Sequence, residues 1–413
     1  MSFKPTESQA IALEVIKEFV KRPIEDSFYD RVLVVQGQAG TGKSTIIGYA
    51  LEELIKEDLN NERFEEDIFG GDGFNYIPNV FGVTVAHKAK NRLMESVPNC
   101  STYAKFFGLK PKYSHNGEKS FEKVEKKYGI DPHKFPFRVV VFDESSMFDM
   151  KMINMIEEYM NSQTKIIFMG DPGQLPPITE KGVKSNDLDS PVFMLFDNKV
   201  VLKERVRQTV GNPILDLSSE IYSEIFGGQD LDRILRLFDE DNFKDGVGYR
   251  KTDRIKILPE FVSLYRENNS TRIICYRNAQ IDKMNMNIRK KLFPDVVESF
   301  TVGDAIYMNK TYSNSEDIVF YNSDEYIIHK VDKTAYNSVD SYKVFVQPNN
   351  YSFLMIVSPA GYAFYKERLA IMKKAALTTS GYADRNKAWT AYHNFVDKFA
   401  DVSYGYAFTA YKA

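Results

Sequence analysis

Apolar and polar positions along this chain follow two alternating patterns. Ile11, Leu13, Ile16 and Phe19 recur on one helical face behind Thr6-Glu7-Ser8-Gln9. This predicts an amphipathic helix with Thr6 as N-cap and Gln9 in the capping-box position. Short apolar runs at 32–35, 80–86, 138–142 and 165–169 predict buried strands. Helical patterns follow the first two, at 45–51 and from the basic start His87-Lys88-Ala89-Lys90-Asn91-Arg92. Strands that alternate with helices predict an α/β fold with a parallel, doubly wound sheet, whose chemistry gathers at the strand C-termini. Residues 52–73 are acidic, end in glycines and read as solvated.

From about residue 200 a second set begins. It has a short strand at 200–202, an amphipathic helix at 214–225, a strand at 272–276 and a helix at 279–292, and it reads as a second α/β domain. Residues 302–357 change to short strands with polar turns, the pattern of an inserted β module. Helical spacing returns at 364–399, where Leu369 and Met372, then Trp389, Tyr392, Val396 and Phe399, fall on repeating faces. Thr378-Thr379-Ser380-Gly381 separates the two groups, predicting a helical hairpin. Residues 106–134 stand apart: lysines interleave with Tyr113, Phe121 and Tyr128 around a turn-like Ser114-His115-Asn116-Gly117, suggesting a small basic hairpin off the sheet.

A length of 413 residues exceeds one ordinary core, which agrees with several domains. The net charge of −3 excludes a generally basic nucleic-acid binder but not a local basic groove. Cys100 and Cys275 have no metal spacing and no disulfide framework, so a reducing, cytoplasmic setting is expected. No signal-like segment opens the chain and no run approaches membrane-spanning length, so no membrane partner is expected.

The chemistry lies at the strand ends. Gly37-Gln38-Ala39-Gly40-Thr41-Gly42-Lys43-Ser44, followed by Thr45, fits the phosphate-binding loop between a strand and a helix. Glycines let successive N–H groups converge on phosphate oxygens, and the helix N-terminus adds partial positive charge. Lys43 is expected to reach the β- and γ-phosphates of ATP, and the Ser44 hydroxyl to ligate Mg²⁺. Asp143-Glu144 ends the buried strand at 138–142: the aspartate suits Mg²⁺, and the glutamate suits activation of the attacking water. Gly170-Asp171-Pro172-Gly173-Gln174-Leu175-Pro176-Pro177 sets Gln174 on a stiff loop, where its amide can sense the γ-phosphate.

Phosphate loop, Asp-Glu strand end and Gly-Asp-Pro-Gly-Gln-Leu-Pro-Pro loop, in this order, resemble superfamily 1 nucleic-acid helicases. The resemblance is greatest in the RecD-like branch that includes bacteriophage enzymes, and it covers essentially the whole chain. It implies two RecA-like phosphate-loop domains and an ATP-driven helicase that moves 5′→3′ on single-stranded DNA. Gln9 falls on the family's adenine-reading glutamine. His87, Lys88, Tyr103, Asn278, Thr409 and Lys412 fall in stretches that contact DNA. In Leu202-Lys203-Glu204-Arg205-Val206-Arg207-Gln208, Arg207 is the better match to the arginine that reaches the γ-phosphate.

The implied domains are 1–198, including a duplex-splitting pin at 106–134; 199–301 with 401–413; an SH3-like β module at 302–358; and a helical hook at 359–400. Implied partners are single-stranded and fork DNA, with a single-stranded-DNA-binding protein or replisome component as recruiter, for a monomer in an infected cell's cytoplasm. One departure stands out. Thr409-Ala410-Tyr411-Lys412-Ala413 carries tyrosine where the family pattern has histidine, and the chain stops inside that motif. The expectation is a chain that binds ATP but hydrolyses it poorly alone. Two other readings remain open at this point: another phosphate-loop motor, such as an AAA-type ATPase or a packaging enzyme, and a non-catalytic, nucleotide-gated DNA-binding fragment.

Overall fold

The computed structural model describes residues 3–24, 27–59, 78–85, 87–113, 119–123, 131–134, 137–177, 190–206, 212–228, 230–239, 241–244, 246–296, 298–313, 319–320, 324–348 and 350–409. The chain divides into two compact units, one of residues 1–110 and 121–251, the other of residues 111–120 and 252–413.

The first unit is built on a six-stranded sheet. Its strands are β1 (Val32–Gly37), β2 (Val80–Thr84), β3 (Cys100–Thr102), β6 (Val139–Phe142), β7 (Lys165–Gly170) and β8 (Lys199–Leu202), in the order β3-β2-β6-β7-β1-β8. Every pairing is parallel. Parallel strands covered on both faces read as continuous apolar runs, and β2, β6 and β7 are buried at every position. Val34, Phe81, Val140, Phe142 and Phe168 pack into one core layer. Leu33, Val35, Ile46, Ile47 and Ile167 pack into the other, with Ala12, Ile16 and Phe19 from the helix Glu7–Lys21. That helix has the expected Thr6–Gln9 capping box. Lys165 reaches its far end and donates from Nζ to the carbonyls of Phe19, Val20 (3.1 Å) and Arg22, where the last turn leaves carbonyls without partners. Between β3 and β6, strands β4 (Leu109–Tyr113) and β5 (Lys119–Lys123) form a separate two-stranded sheet, at the place of the basic excursion.

Two sequence expectations change here. The strand at 199–202 extends the first sheet, pairing parallel with β1 from Val34↔Lys199 to Gly37↔Leu202, rather than opening a second domain. The neighbour of a short edge strand in a parallel sheet is a tertiary choice that periodicity does not encode. The acidic stretch after residue 51 is not solvated throughout. Residues Glu52–Leu59 form a helix with Leu54 and Ile55 buried, and buried Asp58 accepts from the N–H groups of Asn79 (2.8 Å) and Val80 (3.1 Å). Residues 60–77 of that stretch lie outside the described residues. Past β8, the helix Pro213–Ser223 and the pair β9 (Asn242–Lys244) and β10 (Val247–Tyr249) also belong to this unit.

In the second unit, β11 (Ile273–Cys275) leads into the helix Asn278–Leu292. Then follow β12 (Ala305–Met308), the two-residue pair β13 (Tyr312–Ser313) and β14 (Val319–Phe320), β15 (Glu325–Tyr336), β16 (Val339–Gln347) and β17 (Tyr351–Ile356). A helical hairpin, Pro359–Thr378 and Tyr382–Val396, precedes β18 (Val402–Tyr404) and β19 (Ala407–Thr409). The β module is a five-stranded antiparallel sheet, β17-β16-β15-β12-β18, around Ile306, Phe320, Val344 and Phe353. Its last strand returns from beyond the hairpin, so 402–404 joins this module, while β19 pairs parallel with β11. The hairpin is anchored by Tyr365, Leu369 and Met372 against Phe395, Phe399, Val339 and Ile356. Among the described residues no helix is long and apolar enough to cross a membrane.

Candidate nucleotide-binding site

The phosphate loop leaves β1 at Gly37 and enters the helix Lys43–Ala50. Gly40 and Gly42 sit at φ 86° and 82°, which L side chains rarely adopt. At Gly37 a Cβ would lie 2.6 Å from Thr41 Oγ1, so the close turn itself demands glycine. Thr41 Oγ1 donates to the Gln38 carbonyl at 2.8 Å and ties the loop to itself. Gly42 caps the helix without a side chain, leaving first-turn N–H groups to face a ligand. Lys43 Nζ folds back onto the carbonyls of Gly37 (2.6 Å) and Gln38 (3.2 Å).

A cleft of about 380 Å³ opens over this loop. Gly40, Gly42, Lys43, Ser44 and Thr45 line it with Asp143, Glu144 and Gln174, so the C-terminal ends of β1, β6 and β7 converge there. Burial, reinforced by the neighbouring Glu144 carboxylate, pushes the Asp143 carboxyl up to about 6; the Glu144 N–H, Lys43 and Arg92 pull it the other way. The Glu144 N–H donates to Asp143 Oδ1 at 2.8 Å. Glu144 occupies the left-handed region at φ 55°, a strained conformation for a non-glycine residue, of the sort found at functional sites. Gln174 is held by its N–H to the Asp171 carbonyl at 3.0 Å.

Gln9 is buried beside the loop: its Nε2 donates to the Thr41 carbonyl at 2.9 Å, and its Oε1 accepts from the Thr6 N–H at 3.0 Å. Ala39 offers its N–H to Asp171 Oδ2 at 3.0 Å, while Asp171 Oδ1 accepts from the Gly173 N–H at 2.9 Å. Asp171 thus staples the phosphate loop to the Gln174 loop. Sequence reasoning passed over this residue, although a buried acid after a strand-terminal glycine was the available signal. Arg92, which faces Asp143 from the cleft wall, was quoted only as part of a basic helix start.

The remaining expected residues separate. Arg207 lies outside the described residues, as does Lys412. The neighbouring Arg205 is described, and its Nε donates to Gln38 Oε1 at 2.8 Å. His87 and Lys88 begin the helix His87–Leu93 just beyond β2. Tyr103 is a correction: its ring is buried against Phe107 and Phe148, and its hydroxyl donates to the Met152 carbonyl at 3.0 Å. It is a core aromatic with no face left for DNA. In the second unit Thr409 pairs in register with Cys275. Asn278 is exposed at the start of the helix Asn278–Leu292, three residues past the end of β11.

Residues 24–224 match the family described as an AAA domain. The ATP-dependent DNA helicase dda of Enterobacteria phage T4 is 25% identical over 319 residues, covering 74% of this chain and 62% of that protein. In sequence the chain is similar to this helicase. A second relative, the uncharacterized protein R530 of Acanthamoeba polyphaga mimivirus, is 25% identical over 357 residues, 80% of this chain and 66% of its own length. The chain therefore spans less than two thirds of the length of these curated relatives. Among solved structures, a Pif1 helicase from Bacteroides in complex with ADP-AlF3 and single-stranded DNA matches with a TM-score of 0.45 at 16% identity, over 86% of this chain and 75% of that one. A Pif1 helicase from Candida albicans matches with a TM-score of 0.38 at 14% identity, over 86% and 79%.

Proposed function

We propose that this chain is the motor of an ATP-dependent DNA helicase that translocates 5′→3′ on single-stranded DNA and separates duplexes in phage-type replication, recombination or repair. The observation that carries the reading is the convergence of Lys43, Ser44, Asp143, Glu144 and Gln174 on one cleft at three adjacent strand ends. These residues fit Mg·ATP. Gly40 and Gly42 give the loop the positive-φ turns of a phosphate cradle, and Ser44 and Asp143 are hard oxygen donors of the type Mg²⁺ prefers.

In this reading Ser44 and Asp143 would hold Mg²⁺, which would supply positive charge to the transferring phosphoryl group. Lys43 leaves the Gly37 and Gln38 carbonyls for the phosphates. Glu144 accepts a proton from the attacking water, and Gln174 donates its amide to the γ-phosphate. Gln9 reads the adenine edge, and Arg207 supplies positive charge to the leaving phosphoryl group. His87, Lys88, Asn278, Thr409 and Lys412 grip the strand through phosphate contacts, which are sequence-tolerant and salt-sensitive. The similarity to the T4 helicase supports the choice of DNA and of a helicase over other phosphate-loop motors.

The test is a pair of duplexes with 5′ or 3′ single-stranded tails, incubated with the chain and ATP, alongside ATP turnover with and without single-stranded DNA. Unwinding of the 5′-tailed substrate alone, with DNA-stimulated turnover, is expected. Turnover indifferent to DNA would point to another motor class. Nucleotide-dependent DNA binding with no turnover would leave a gated binding module in place of an enzyme.

A further inference from the structure

The segment that follows β8 is fastened to the phosphate loop by four consecutive residues. The Lys203 N–H donates to Ser8 Oγ at 3.0 Å. Glu204 Oε2 accepts from Thr6 Oγ1 at 2.8 Å and from Ser8 Oγ. Arg205 donates from both Nε (2.8 Å) and Nη2 to the side-chain oxygen of Gln38. The Val206 N–H donates to the Gly40 carbonyl at 2.9 Å. Three of these six bonds end on the phosphate loop itself. The other three end on Thr6 and Ser8, at the start of the helix that carries Gln9, whose amide bonds the loop at Thr41. On its other side Arg205 reaches the helix Pro213–Ser223, with Nη1 3.3 Å from the Leu215 carbonyl and Nη2 3.4 Å from Ser218 Oγ.

The partners of Arg205 are all neutral. Among the described residues no carboxylate ion-pairs with this guanidinium, which is half-buried. A buried cation is normally paired; here its charge is directed at a loop whose ligand would be a polyanion. The arrangement fixes both the geometry of Gln38, the second residue of the loop, and a positive charge beside it. Both favour a bound triphosphate over an empty loop.

We propose that Arg205 is a positioning residue for the nucleoside triphosphate, acting through Gln38 to hold the phosphate loop in its binding shape, with Glu204 anchoring the segment that carries it. The inference deepens the proposed nucleotide site and rests on it. It makes nucleotide affinity depend on the connection between β8 and the helix Pro213–Ser223, so strain in that connection is felt at the phosphates.

The test is a double-mutant cycle read by equilibrium binding of a non-hydrolysable Mg·ATP analogue to wild type, Arg205→Ala, Gln38→Ala and the double variant, with apo unfolding midpoints measured alongside. Arg205→Ala is expected to weaken binding about tenfold, the size of one charge-assisted hydrogen bond. Gln38→Ala should weaken it similarly, and the double variant no more than the stronger single one. KM for ATP should rise with kcat little changed. Arg205→Lys, which keeps the charge but not the two-pronged donation, should fall between, and it serves if the alanine variant folds poorly. Wild-type affinity in Arg205→Ala, or losses that simply add in the double variant, would overturn the inference. If wild type itself binds no triphosphate, the nucleotide site is at fault and not the role of Arg205.

Discussion

Replacing Asp143 by Asn should make the ligand-free protein more stable while disabling it. The Asp143 carboxyl is pushed up to about 6 by burial at the end of β6 and by the adjacent Glu144. In an unfolded chain it returns to about 3.9. A difference of about two units corresponds to about 3 kcal/mol at pH 7, because the folded state must hold a charge that it disfavours. The side chain is half-buried on the cleft wall, so solvent screening makes that an upper bound. The sign follows from proton counting. Between the two pKa values the folded state binds more protons than the unfolded one, so this group's contribution to stability falls as pH rises from about 4 through 6. The penalty is complete above that range and vanishes below it. The assay is urea unfolding of wild type and Asp143→Asn in EDTA at pH 5 and pH 7. The variant should gain about 1–3 kcal/mol at pH 7 and roughly half as much at pH 5. Mg²⁺ should oppose the trend in wild type alone, since a cation favours the carboxylate. Equal stability of the two proteins at pH 7, or a gain independent of pH, would refute the electrostatic account.

Lys43→Ala should lower ATP turnover by about 10²–10³ in a steady-state assay, since it removes the cation that would meet the phosphates. Gly42→Ala combines a left-handed backbone with a Cβ 2.9 Å from Gln9 Nε2; denaturant titration should read a loss of about 1–2 kcal/mol, and calorimetry weakened nucleotide binding. Tyr103→Phe removes the bond to the Met152 carbonyl and should cost about 1 kcal/mol of stability, with single-stranded-DNA affinity by fluorescence anisotropy unaltered. Asp171→Ala leaves the Ala39 and Gly173 N–H groups without their acceptor and should cost about 2–3 kcal/mol together with nucleotide affinity, measured by unfolding and by binding.

The α/β class was legible because β2, β6 and β7 are buried on both faces and leave continuous apolar runs that no other element interrupts. The loop chemistry was legible for a related reason. Positive φ at Gly40 and Gly42, and the tight turn at Gly37, restrict the residue types, so the backbone demand is written into the sequence. Lateral order in the sheet was not legible. Val200 and Leu202 would satisfy any parallel edge, and the register of β8 on β1 is fixed by packing. Tyr103 was misread because a tyrosine next to a strand end looks the same whether its hydroxyl meets water or the Met152 carbonyl. Arg205 was set aside for Arg207 on pattern alone, since nothing in the sequence signals that its guanidinium meets Gln38. Asp58, in an acidic run, resembled its solvated neighbours until the N–H groups of Asn79 and Val80 arrived from a distant part of the chain.

That last contact has a practical side. Asp58 pins the chain where it leaves one helix and, through Asn79 and Val80, where it enters β2, so both ends of residues 60–77 are secured by bonds that do not involve the intervening residues. Asp58 therefore works as a clasp, and Asp58→Ala would free the end of the helix and the entry of β2 in one change. The helix Lys43–Ala50, which starts at the phosphate loop, precedes Glu52–Leu59 with only Leu51 between them, so the clasp lies two consecutive helices along the chain from the nucleotide cleft.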